Sequence, residues 1–125
     1  MIRIRMRDFE RLVREAFEEL PAPIRARVQN LEIEVKSRPT PEELEEAGVE
    51  DPADLFGFYR GIPLPARGAY YDMTLPDLIT IYRYAHELAC DSLEELREEV
   101  RRTLRHELAH HFGIDDDRLE ELGAY

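Results

Sequence analysis

Two histidines four positions apart, His106 and His110, flank Glu107 in the segment HELAHHFGIDD, residues 106–116. On an α-helix that spacing places both imidazoles on one face, about one turn apart, within reach of a single tetrahedral metal ion. Glu107 is rotated about 100° from His106 on the same helix. It therefore stands beside such a metal without ligating it, in the position of a general base. Gly113 lets the chain reverse and bring round Asp116, ten residues after His106. Asp115 and Asp117 are carboxylates that could swing to the same point, and the spacing favours Asp116. The pattern HExxHxxGxxD thus predicts one zinc ion on His106, His110 and Asp116. Its fourth position stays open for a water that zinc makes acidic, with Glu107 as the proton acceptor.

Other candidates read differently. His111 falls near the helical stripe of Leu93, Leu96, Val100 and Leu104, which predicts a packed, hydrogen-bonded histidine. Thr103 shares the face of His106 and His110 one turn earlier and could line the site or serve the fold. A second HELA, His86–Ala89, has Cys90 where the motif requires a histidine. Without a third partner nearby, His86 and Cys90 are expected to pack. An oxyanion donor could come from Tyr70, Tyr71, Tyr125 or Arg118, and spacing selects none of them.

Several elements must position these groups. Phe9, Leu12, Val13, Ala16, Phe17 and Leu20 recur at helical spacing, which predicts an amphipathic helix over 8–20, stopped by the prolines at 21 and 23. A helical turn then leads to a half-buried strand in LEIEVKSRP, where Leu31, Ile33 and Val35 alternate with charged residues. Thr40, Pro41 and Gly48 bracket a short acidic helix over 41–47, expected to be exposed. Strands are predicted over 55–60 and 78–83, with an edge segment near 68–73 where a peptide could pair. Asp91 or Ser92 at the start and Gly113 at the end bound a helix of about twenty residues carrying the motif, and a terminal helix follows at 117–122.

The 125 residues carry a net charge of −11, so the overall field opposes a nucleic-acid partner. One domain over 1–125 is expected, because a chain of this length supports one modest core. No apolar run approaches the roughly 20 residues of a membrane span. The single cysteine and the start MIRIRMRDFERLV predict a cytoplasmic protein without an internal disulfide.

HELAHHFGIDD, the preceding LITIYR and the upstream FYRGIPL together resemble the minimal zincin-like metallopeptidase family, small bacterial proteins once of unknown function. That resemblance implies an α+β fold, a small mixed sheet packed on helices beside a long active-site helix. It maps the family's motif onto His106, Glu107, His110 and Asp116. The HExxHxxG run also looks like metzincins, but the third ligand position holds Asp, and Met73, the last methionine, precedes the motif. The expected activity is zinc-dependent peptide hydrolysis on an unidentified peptide or protein. The seven residues after Arg118 offer little chain for a substrate-binding lobe. The alternative is therefore a non-catalytic zinc-binding interaction module on the same fold.

Overall fold

In a computed structural model the apolar stripe of the first segment forms helix α1, Met6–Glu18, and buries Phe9, Leu12, Val13 and Ala16. The structure describes residues 1–61, 76–114 and 116–121, with the backbone alone for 116, 119 and 120. After Pro21 a short helix, α2 (Ala22–Arg25), adds Ile24 to the same core. Strands β1 (Leu31–Lys36), β2 (Gly57–Arg60) and β3 (Asp77–Tyr82) form a mixed sheet in the order β1-β3-β2. β1 lies parallel to β3, and β2 antiparallel to it.

The two-residue period of these strands sorts the sheet into unlike faces. Ile33 and Val35 pair in register with Ile79 and Ile81, while Tyr59 sits opposite Ile79. These side chains join α1 and the long helix α5 (Leu93–Phe112) in one core, where Leu96, Val100, Leu104 and Leu108 are almost fully buried. Truncating any one of those leucines to alanine costs about 2–5 kcal/mol. The other face carries Glu34, Lys36, Arg60, Thr80 and Tyr82, and Glu43 from helix α3 (Pro41–Ala47) packs among them.

Pro41, Glu42, Glu45 and Glu46 are exposed, as expected for an acidic helix at 41–47, but Glu43 departs from that expectation at 3% exposed. It closes a capping box, with Thr40 N–H donating to Oε1 at 2.8 Å and Glu43 N–H donating to the Thr40 hydroxyl at 3.1 Å. Its second oxygen accepts from Lys36 Nζ at 3.1 Å, Arg60 Nη2 at 2.7 Å and the Tyr82 hydroxyl at 2.8 Å. Burial alone raises the Glu43 pKa, but the bonds from Thr40, Tyr82 and Lys36 outweigh it and bring it down to about 2. Burial and the neighbouring carboxylate push the Tyr82 phenol up.

The expected strand at 55–60 begins two residues later, after a 3-10 turn over Pro52–Asp54 that the Asp51 side chain caps. The edge segment near 68–73 lies outside the described residues. Helix α4 (Arg83–Ala89) follows β3 without a break and is absent from the sequence expectations. Its N-cap is Tyr82, whose side chain makes no capping bond, so the usual polar start signal is missing. Of the two cap candidates at the start of α5 the structure uses Ser92, whose hydroxyl accepts from Glu95 N–H, and Gly113 takes φ 69° at the predicted end. Gly113 N–H reaches His110 O and Ile114 N–H reaches Ala109 O, a Schellman closure that turns the chain toward helix α6 (Asp116–Glu121).

Candidate metal centre

At 100° per residue the last two turns of α5 divide four polar side chains between solvent and core. His106 and His110 are exposed, Glu107 is 6% exposed and His111 is fully buried. One ligand atom from each of His106, Glu107 and His110 lies within 4.8 Å of the others. The two imidazole rings meet edge to face with centroids 5.1 Å apart, and Glu107 Oε2 is 4.0 Å from His106 Nε2. The two imidazoles are donors that suit zinc, with the Glu107 carboxylate beside them in reach of a metal-bound water, so the residues present fit that ion.

β2 crosses α5 closely at this point because Gly57 has no side chain. A Cβ there would lie 2.7 Å from Thr103 Cγ2 and 3.0 Å from Glu107 Cγ. Past this crossing runs a cleft of about 370 Å³, walled by Asp54, Leu55 and Phe56 on one side and by Glu99, Arg102 and Thr103 on the other. It ends at His106 and Glu107. Arg102 pairs with Glu99 at 3.3 Å. The carboxylate of Asp54 makes no ion pair among the described residues.

Behind the exposed histidines stands a set of buried polar groups. His111 Nδ1 is 2.9 Å from Asp77 Oδ2, and the Tyr59 hydroxyl donates to the same oxygen at 2.5 Å. Gln29 N–H donates to His111 Nε2 at 3.3 Å. That nitrogen therefore carries no proton, and Nδ1–H is left to donate to Asp77. The Tyr59 ring lies nearly parallel to His110, 12° between planes and 6.1 Å between centroids.

A second buried histidine, His86, has Nδ1 2.6 Å from Tyr82 O and Nε2 2.9 Å from the Thr103 hydroxyl. Burial lowers its pKa to about 4 against the opposing pull of its hydrogen bonds, so it is neutral at pH 7. With Nδ1–H given to the carbonyl, the Thr103 proton has two acceptors in reach, His86 Nε2 and Glu99 O, each at 2.9 Å. Both chemical surroundings match the packing roles expected for His86 and His111, and Cys90 is buried as well.

Of the residues singled out by the motif, the structure brings together His106, Glu107 and His110. Asp116 opens α6, one short turn after Gly113, but its side chain and the whole of Asp115 lie outside the described residues, whereas Asp117 is exposed. Tyr70, Tyr71 and Tyr125 also lie outside them. Arg118 pairs with Glu121 at 3.0 Å. Sequence reasoning missed Tyr59, Asp77 and Gln29. A signal for Asp77 was present, since it shares the two-residue period of Ile79 and Ile81 and so puts an acid on the apolar face.

A mixed sheet lies beside a long helix bearing a His-Glu-x-x-His cluster that could hold a metal ion. The chain belongs to the zincin-like metallopeptidase family, whose model matches residues 28–124. Among solved structures it is similar to a conserved hypothetical protein from Thermo thermophilus, with 24% identity and a TM-score of 0.55. That likeness spans 87% of this chain and 94% of the other, and it supports the fold. No curated protein matches.

Proposed function

We propose that the protein is a zinc-dependent peptide hydrolase with His106, His110 and Asp116 as ligands and Glu107 as general base. The observation that carries this reading is Glu107, a buried carboxylate held beside two exposed histidines at the end of a cleft. A site that merely staples the fold has no use for such a group there. When bound, zinc supplies Lewis acidity that polarises a scissile carbonyl and makes a water acidic. Glu107 accepts the proton of the attacking water at its carboxylate and hands it to the departing amine. Burial of its stem under Gly57 fixes the direction of that carboxylate.

The cleft beside Glu107 receives a substrate side chain next to the scissile bond. Leu55 and Phe56 suit an aliphatic stem, and the Asp54 carboxylate suits a cationic head, so the reading favours peptides with lysine or arginine there. Glu107→Gln is expected to bind zinc as the parental protein does and to lose hydrolysis of unfolded peptides. Equal cleavage by the two proteins would overturn the assigned base. Bound zinc with no cleavage of any peptide would assign the chain instead to a zinc-binding interaction module.

A further inference from the structure

We infer that Tyr59, Asp77 and His111 form a buried brace that sets the orientation of the His110 ring before zinc arrives. This rests on the zinc-site reading above and adds to it a positioning role for three residues outside the motif. Asp77 is a carboxylate 1% exposed on the apolar face of the sheet. A buried carboxylate is tolerated only where donors satisfy it. Here the donors come from two other elements, the Tyr59 hydroxyl on β2 and His111 Nδ1–H on α5.

Each bond has a mechanical consequence. The His111 bond ties the last turn of α5 to the start of β3. His111 is adjacent in sequence to His110, so that tie fixes the backbone from which the His110 side chain departs. The Gln29 N–H on Nε2 closes the opposite end of the His111 ring and prevents it from rotating. The Tyr59 bond holds a phenol ring by its far end, and the flat of that ring lies alongside His110 at 12°. Offset stacking at this separation limits how far an exposed imidazole can tilt. Backbone and ring plane of His110 are thus both constrained by partners of one carboxylate.

Groups that orient a ligand histidine typically alter metal affinity by about 10- to 100-fold when removed. The experiment measures zinc affinity by competition with a chromogenic chelator and records the visible spectrum of the cobalt-substituted protein, for the parental chain, Tyr59→Phe and Tyr59→Leu. Tyr59→Phe removes the hydroxyl but keeps the ring; Tyr59→Leu removes the ring. The expected result is weaker zinc binding in both variants, by about tenfold in Tyr59→Leu, with a changed cobalt spectrum in each. If Tyr59→Leu does not fold, Tyr59→Phe decides. A lower melting temperature with zinc affinity and cobalt spectrum unchanged would show a purely structural network and overturn the brace. Absence of zinc binding by the parental protein would overturn the site reading, and the brace with it.

Discussion

Replacing Gly57 with alanine places a methyl group 2.7 Å from Thr103 Cγ2 and 3.0 Å from Glu107 Cγ. Carbon atoms settle at about 3.5–4.0 Å, so both neighbours must retreat by roughly half an ångström or more. Thr103 has little room to do so. It is β-branched on a helix, and its hydroxyl is held between Glu99 O and His86. The new methyl and β2 must therefore shift away from Thr103, and Glu107, the softer of the two neighbours, is displaced as well, which moves the proposed base. Overpacking of this kind costs about 1–3 kcal/mol. At about 2 kcal/mol, the unfolding entropy of a chain this size converts the loss to a drop of roughly 8 °C in Tm. Calorimetry and guanidinium titration measure the stability, and peptide cleavage by the zinc-loaded protein measures the site. Cleavage is expected to fall by more than zinc affinity does, because the exposed His106 and His110 do not touch the new methyl. A variant with unchanged Tm, denaturation midpoint and cleavage would refute the tight crossing of β2 over α5.

Other outcomes follow from the same structure. His106→Ala and His110→Ala should each abolish tight zinc binding in equilibrium dialysis while leaving the zinc-free protein folded, since both side chains are exposed. His86 has a folded pKa of about 4, below its unfolded value near 6.5, so the unfolded chain takes up a proton first as pH falls. Stability should decline by about 3 kcal/mol from this group between pH 7 and pH 4, and His86→Gln should flatten that slope in guanidinium unfolding. Glu43 has the opposite charge type but the same direction: its stabilisation is full above pH 4.5 and lost as pH falls toward about 2. Glu43→Gln should lower stability by about 2 kcal/mol with zinc affinity unaltered, because the residue sits on the sheet face away from the site. Asp54→Asn should reduce cleavage next to lysine and arginine by a few-fold relative to neutral residues, read by mass spectrometry of a peptide mixture.

The long helix was legible from sequence to within a residue because its ends have local chemistry, a serine hydroxyl beside Asp91 and a glycine at φ 69°. The same holds for α3, with threonine, proline and glycine at its ends. α4 was missed because it begins directly from a strand with no side-chain cap, which leaves no local mark. The histidine pair was legible because helical periodicity is a local rule, and His111 could be assigned inward by the same rule. Tyr59 and Gln29 could not be tied to the motif in this way. Their roles depend on which strand neighbours which, and the order β1-β3-β2 follows from packing among distant segments. Glu43 failed for a related reason: a capping box specifies one oxygen of the carboxylate, and what meets the other depends on tertiary contacts.

The distribution of buried polar groups separates stability from site construction. On the face of the sheet turned away from α5, Glu43 collects cations and a phenol from β1, β2 and β3 and joins the strands to α3. On the face turned toward α5, apolar residues fill most positions, and the exceptions cluster near the end of the helix. Asp77 and His111 could be leucines if burial were all that mattered, since a buried carboxylate and imidazole gain little over apolar side chains of similar size. What they provide is direction. Hydrogen bonds fix the rotation of a ring, whereas apolar contacts tolerate several rotations of similar energy. That directional network lies immediately behind His110, with His86 and Thr103 one turn further back beside Glu107, so hydrogen-bonded groups of the core stand where imidazole and carboxylate angles matter. The histidines can then remain exposed to solvent and still present their nitrogens to one point.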